Sequence, residues 1–126
     1  GSSVDWTGAS YFLENVGFEG GALYVADRST SVWSSSSYFS ANSAQDYGGA
    51  VFVTDGGTAL WSTSAVFSDN SAQYDGGAVY SNDNVTLSWS STVLFSGNTA
   101  ENGGALFVKN GVNTTFVGKT SFTSNR

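Results

Sequence analysis

Apolar residues in this chain come in short runs with a period of two, and no stretch carries a helix-period stripe. The clearest run is Val85-Thr86-Leu87-Ser88-Trp89, which alternates apolar and polar strictly and predicts a half-buried strand. A second type, Ala50-Val51-Phe52-Val53 with its relatives Ala22 to Val25 and Ala105 to Val108, is a short β-prone run. A third ends on a Phe, as in Val93-Leu94-Phe95. The runs return in a fixed order. Trp6, Trp33, Trp61, Trp89 and then Phe116 each stand six residues before Phe12, Phe39, Phe67, Phe95 and Phe122. Three residues after each of these Phe residues comes an Asn, namely Asn15, Asn42, Asn70, Asn98 and Asn125, at spacings of 27, 28, 28 and 27. Gly-Gly-Ala plus an aliphatic residue falls at Gly20 to Leu23, Gly48 to Val51, Gly76 to Val79 and Gly103 to Leu106.

A constant period in this range predicts a stack of like units. The expected fold is all-β, a right-handed, three-sided parallel β-helix of about 4.5 coils of 27–28 residues with three short strands per coil. Successive coils about 4.8 Å apart make roughly 20 Å of solenoid. The 126 residues form one segment, with repeats at approximately 6–32, 33–60, 61–88, 89–115 and a partial 116–126. The variable residue in the period sits between Asn and Gly-Gly: Ser43 to Tyr47 and Ser71 to Asp75 have five residues, Val16 to Glu19 and Thr99 to Asn102 four. Length changes are tolerated in loops and shift register in strands, which makes this the variable, solvent-facing corner.

Stacking places like side chains above one another. Phe12, Phe39, Phe67, Phe95 and Phe122 are expected to form an aromatic column inside the tube, and Trp6, Trp33, Trp61 and Trp89 a second. The ladder asparagines are expected to bond to one another and to take the left-handed backbone of a sharp corner. The glycine pairs supply positive φ and omit a Cβ where coils approach. On the Gly-Gly-Ala strand, Leu23, Val51, Val79 and Leu106 are read as inward. That leaves Tyr24, Phe52, Tyr80 and Phe107 as an outer column and a candidate contact surface. The opposite phase, with the aromatics inside, also fits the pattern.

Composition narrows the function. There is no Cys, His, Pro or Met, so neither disulfides nor thiolate or imidazole metal sites hold the chain. Four basic against ten acidic side chains, net −6, speak against a nucleic-acid partner, which needs clustered cations. No run approaches the roughly 18 apolar residues that cross a bilayer, so membrane insertion by this segment is not expected. The expected enzyme class is none, with no catalytic residues, cofactor or metal. A polysaccharide-active β-helix needs convergent carboxylates, and here they are scattered. Asp27, Asp55 and Asp83 do recur at one corner, spaced 28 and 28, with Arg28 beside the first. Turn formation explains them, and a calcium column is the alternative reading. Hydroxyl runs after each Trp, Ser34 to Ser37, Ser62 to Ser64 and Ser90 to Thr92, fit a polar solvent face; an ice-binding, sugar-binding or O-glycosylated face is the alternative. Asn84-Val85-Thr86 and Asn113-Thr114-Thr115 are N-glycosylation sequons.

Phe-x-x-Asn alternating in fixed register with Gly-Gly-Ala-aliphatic, as in Phe67-Ser68-Asp69-Asn70 followed by Gly76-Gly77-Ala78-Val79, resembles the repeat of the chlamydial polymorphic outer membrane proteins. Related repeats occur in large surface proteins of some protists and algae. The fourth motif position is Leu or Val where that family often has Ile. The resemblance implies a β-helical surface segment that serves adhesion to host cells. The expected function is therefore a non-enzymatic, extracellular or cell-surface structural or adhesive β-helix. Its expected partners are a host-cell or glycan ligand, and either continuation in a longer chain or end-to-end stacking into a fibre. A carbohydrate-binding or polysaccharide-active β-helix is the alternative. Trp6 to Asn15 already belongs to a coil and Ser124 to Arg126 stops inside one, so a longer polypeptide is expected.

Overall fold

The computed structural model describes residues 1–126 and contains strands and turns only. The first coil holds β1 (Ser3–Trp6), β2 (Ser10–Leu13), β3 (Val16–Glu19) and β4 (Leu23–Val25). The second holds β5 (Thr30–Trp33), β6 (Ser37–Ser40), β7 (Ser43–Tyr47) and β8 (Val51–Val53). The third holds β9 (Thr58–Trp61), β10 (Ala65–Ser68), β11 (Ser71–Ala72) and β12 (Val79–Asn82). The fourth comprises β13 (Thr86–Trp89), β14 (Val93–Ser96) and β15 (Leu106–Lys109), and the partial fifth β16 (Asn113–Phe116) and β17 (Thr120–Thr123).

All pairing is parallel and joins equivalent strands of neighbouring coils, so the chain is a β-solenoid. The Trp side runs β1-β5-β9-β13-β16, the Phe side β2-β6-β10-β14-β17, and the Val side β4-β8-β12-β15. Each motif residue pairs with its own kind: Trp33 with Trp61, Phe39 with Phe67, Val51 with Val79. These three sides are the ones the repeat predicts. The structure adds a fourth, narrower strip at the corner expected to be a plain loop, where β3, β7 and β11 pair and single bridges, Ser71 to Thr99 and Asp75 to Asn102, carry the strip into the fourth coil. The length change predicted for this corner appears as a register break between Gly17 and Glu19, where the first coil is one residue shorter than the second.

The interior is built from columns. Trp33, Trp61 and Trp89 stack at ring separations of 4.6 Å, and Phe39, Phe67 and Phe95 at 4.8 Å, with the two columns meeting at steep, T-shaped angles at 5.5–6.4 Å. All six of these side chains are fully buried, each with the hydrophobic stabilisation and aromatic geometry that large rings supply. Val51, Val53 and Val79 close the third side, and the whole forms one continuous cluster. Leu23, Val51, Val79 and Leu106 point inward as read from the sequence, and the aromatic residues beside them lie outside that cluster.

Candidate functional site

The ladder of asparagines is the most completely bonded polar array in the molecule. Asn70 Nδ2 donates to Asn98 Oδ1 and to Phe39 O, both at 2.9 Å, while its Oδ1 accepts from the Asn42 backbone N–H and from Asn42 Nδ2, both at 3.0 Å. Every donor and acceptor of this buried amide is satisfied, the condition under which burying a polar group stabilises. Asn42 and Asn98 repeat the arrangement, Asn15 and Asn125 its two half-bonded ends. The left-handed corner, however, is not at the asparagine. It falls one residue earlier, at Glu14, Ala41, Asp69, Gly97 and Ser124, with φ between 54° and 67°. The asparagine side chain staples the corner from within, and its neighbour makes the bend. Residue types at the bending position share nothing, so no pattern in the sequence marks it.

The two glycines of each pair act differently. Gly20, Gly48, Gly76 and Gly103 have φ of 59–68°, whereas a Cβ on Gly21, Gly49 or Gly77 would collide with the carbonyl of the corresponding glycine in the next coil.

Asp27-Arg28, Asp55-Gly56, Asp83-Asn84 and Asn110-Gly111 each place two successive residues at positive φ, 50–76°, the conformation of a type I′ turn. Turn chemistry therefore accounts for the recurring Asp, and Asn110 continues the series, donating from Nδ2 to Asp83 Oδ1 at 3.2 Å. No group of three or more acidic side chains converges as metal ligands would. Asp27, Arg28 and Asp55, with Gly1, line one polar recess at the first coils. Asn84 and Asn113, the sequon asparagines, are both exposed. Hydroxyls form pairs across coils, Ser36 with Ser64 at 3.2 Å and Ser40 with Ser68 at 3.0 Å.

The outer aromatic column is more enclosed than a contact surface requires. Tyr24 and Phe52 stack at 5.0 Å, Phe52 and Tyr80 at 4.9 Å, and Tyr80 and Phe107 at 5.6 Å, so each ring hides its neighbours' faces. Tyr47 from the corner strip lies over the column, 4.9 Å from Tyr80, and the Lys109 ammonium sits 5.6 Å from the Tyr80 ring centre. Phe52 and Tyr80 consequently retain only 5% and 2% of their exposure. The candidate contact surface of Tyr24, Phe52, Tyr80 and Phe107 thus reduces to Tyr24, which is half exposed, and the partly covered Phe107. The exposed Lys109 is held above the usual lysine range by the Tyr80 phenol beside it, and Tyr24 is raised by partial burial and then by Glu19, Asp55 and Asp27.

Not all buried polar atoms find partners. Trp6 Nε1 donates to Ser31 Oγ at 3.2 Å, but the equivalent positions in the next coils are Ala59 and Leu87, and Trp33 and Trp61 Nε1 are left without acceptors. Ser37 and Ser81 hydroxyls are likewise buried and unpaired. The core is held by ring stacking and the amide ladder, with these isolated polar groups as its weak points.

These features define a tandem-repeat β-solenoid whose functional geometry is a set of stacked columns, with no cleft at its centre. The family model of the Chlamydia polymorphic membrane protein repeat matches residues 36–54, 64–82 and 92–109. Each match spans the Phe-side strand, the corner and the Val-side strand of one coil, so three coils of the solenoid match the Pmp-type repeat. No curated protein and no solved structure matches the chain significantly.

Proposed function

We propose that the chain is a non-enzymatic, cell-surface structural element: a rod whose repeats present an outer face for adhesion, to a host-cell or glycan ligand, or for assembly. The observation that carries this reading is the distribution of chemistry. The buried, ordered groups are the stacked rings and the asparagine ladder, whereas no carboxylate is buried, all ten lying at exposed or half-exposed positions of turns and strand ends or faces. The Pmp-type repeat supports a surface location. Each coil joins the next through equivalent parallel strands and the same asparagine bonds, so coils add without a new type of contact, which supports assembly into a rod. The exposed Asn84 and Asn113 are acceptors for N-linked glycan in a glycosylating host.

Antibodies raised against the chain test the location on intact cells of the source organism, where surface labelling and removal by added protease are expected. Labelling only after permeabilisation overturns the surface reading. Beads coated with the chain are expected to bind cultured cells above uncoated beads, and equal binding overturns the adhesive part. One observation favours the second reading, a glycan-binding or polysaccharide-active solenoid, namely the Asp27, Arg28 and Asp55 recess. Glycan binding or depolymerisation abolished by Asp55→Asn would replace the first reading with it.

A further inference from the structure

Inward positions repeat residue type from coil to coil, whereas outward ones vary; two departures stand out because they put exposed apolar side chains where the middle coils carry polar ones. On the flank of the first coil, Leu13, Val16 and Phe18 are 55%, 77% and 70% exposed. Leu13 is in register with Ser40, Ser68 and Ser96, Val16 with Ser43 and Ser71, and Phe18 follows Gly17 as Gln45 and Gln73 follow Ala44 and Ala72. These positions point sideways, where the middle coils place Ser and Gln. At the other departure, Val117 is 71% exposed where Ser34, Ser62 and Ser90 stand exposed in earlier coils, and Lys119 replaces Ser36, Ser64 and Thr92. The charged residues at the two places are of opposite sign, Glu14 at the first and Lys119 at the second.

We propose that the apolar flank of the first coil, with Glu14 exposed at its centre, binds the Val117–Lys119 corner of a second copy of this chain. An exposed apolar patch marks a protein contact, and Glu14 within it and Lys119 beside Val117 on the same molecule supply an opposite-charge pair across the contact. The two surfaces differ, so the contact is heterologous and repeats from copy to copy, joining rods side by side in a staggered array. Its strength falls with salt, because Glu14 and Lys119 meet near solvent.

Sedimentation velocity over a concentration series tests this. The mass is expected to grow past that of a dimer and to fall when salt is raised. Leu13→Ser/Val16→Ser/Phe18→Gln installs in the first coil the residues of the following coils, so it keeps the strand spectrum while raising the concentration for half-association at least tenfold. Glu14→Lys and Lys119→Glu do the same singly, and the double exchange restores association. A wild-type chain that stays monomeric, a mass that stops at the dimer, variants that associate like wild type, or a double exchange without recovery overturns the proposal. The contact rests on the reading of the chain as a structural rod, yet the two fail separately. A monomer that labels the cell surface overturns only the contact, and an associating chain found inside cells overturns only the location.

Discussion

Ala41 occupies a backbone conformation, φ 56°, that other coils give to Glu, Asp, Gly or Ser, and it does so while exposed. Because L-residues in the left-handed region crowd their own carbonyl at a cost of about 1–2 kcal/mol, Ala41→Gly is expected to stabilise the chain by about 0.5–1 kcal/mol despite the added freedom of the unfolded state. A higher denaturant midpoint with unchanged slope is the measurement that checks it. Ser81 is the reverse case. It is fully buried, its hydroxyl has no partner, and it stands between Val53 and Val108 in register. Ser81→Val replaces an unpaired polar atom by methyl groups in a valine column, and a gain of about 1 kcal/mol is expected from thermal unfolding. The sequence marks Ser81 as a break in the column, whereas the left-handed corners are invisible in it because five different residues, Glu14, Ala41, Asp69, Gly97 and Ser124, occupy them.

Among the elements, the strands of the Trp, Phe and Val sides were legible because inward positions repeat by residue type at constant spacing. The corner strip was not. Ser43 to Tyr47 has little β-branched or apolar content, and it pairs because the flanking sides already hold it beside β3 and β11. The cover that Tyr47 provides for Phe52 and Tyr80 was equally hidden, since a tyrosine in one coil meeting a strand of the next obeys no short-range pattern. The second glycine of each pair was legible and is the tightest point between coils. Gly77→Ala puts a methyl group against the Gly104 carbonyl, and a Cβ there also meets the Thr99 backbone. Neither obstacle is a flexible side chain, so the coils must separate locally. A loss of more than about 3 kcal/mol is expected from the overpacking and the broken corner bonds together, read as a lowered melting temperature.

For the whole molecule, stability in a solenoid is the sum of coil and interface terms, so the same substitution has different weight along the rod. Phe67 is fully buried between Phe39 and Phe95, while Phe122 is 51% exposed and stacks on Phe95 alone. Phe67→Ala is expected to cost about 3–5 kcal/mol and Phe122→Ala at most about half of that, by chemical denaturation. Equal losses would mean that the column does not carry the stability.

The direction of the strand pairing has a mechanical consequence. Every interstrand hydrogen bond runs along the rod, so tension applied between the first and last coils loads the rungs in series, and the weakest rung opens while the others hold. A released coil of 28 residues lets out about 95 Å of extended chain. Pulling a single molecule by its ends is therefore expected to give a sawtooth with steps of about that length, where a globule of the same size would give one large rupture. A rod of this kind is a shock absorber, yielding one coil at a time and rewinding on the coils that remain.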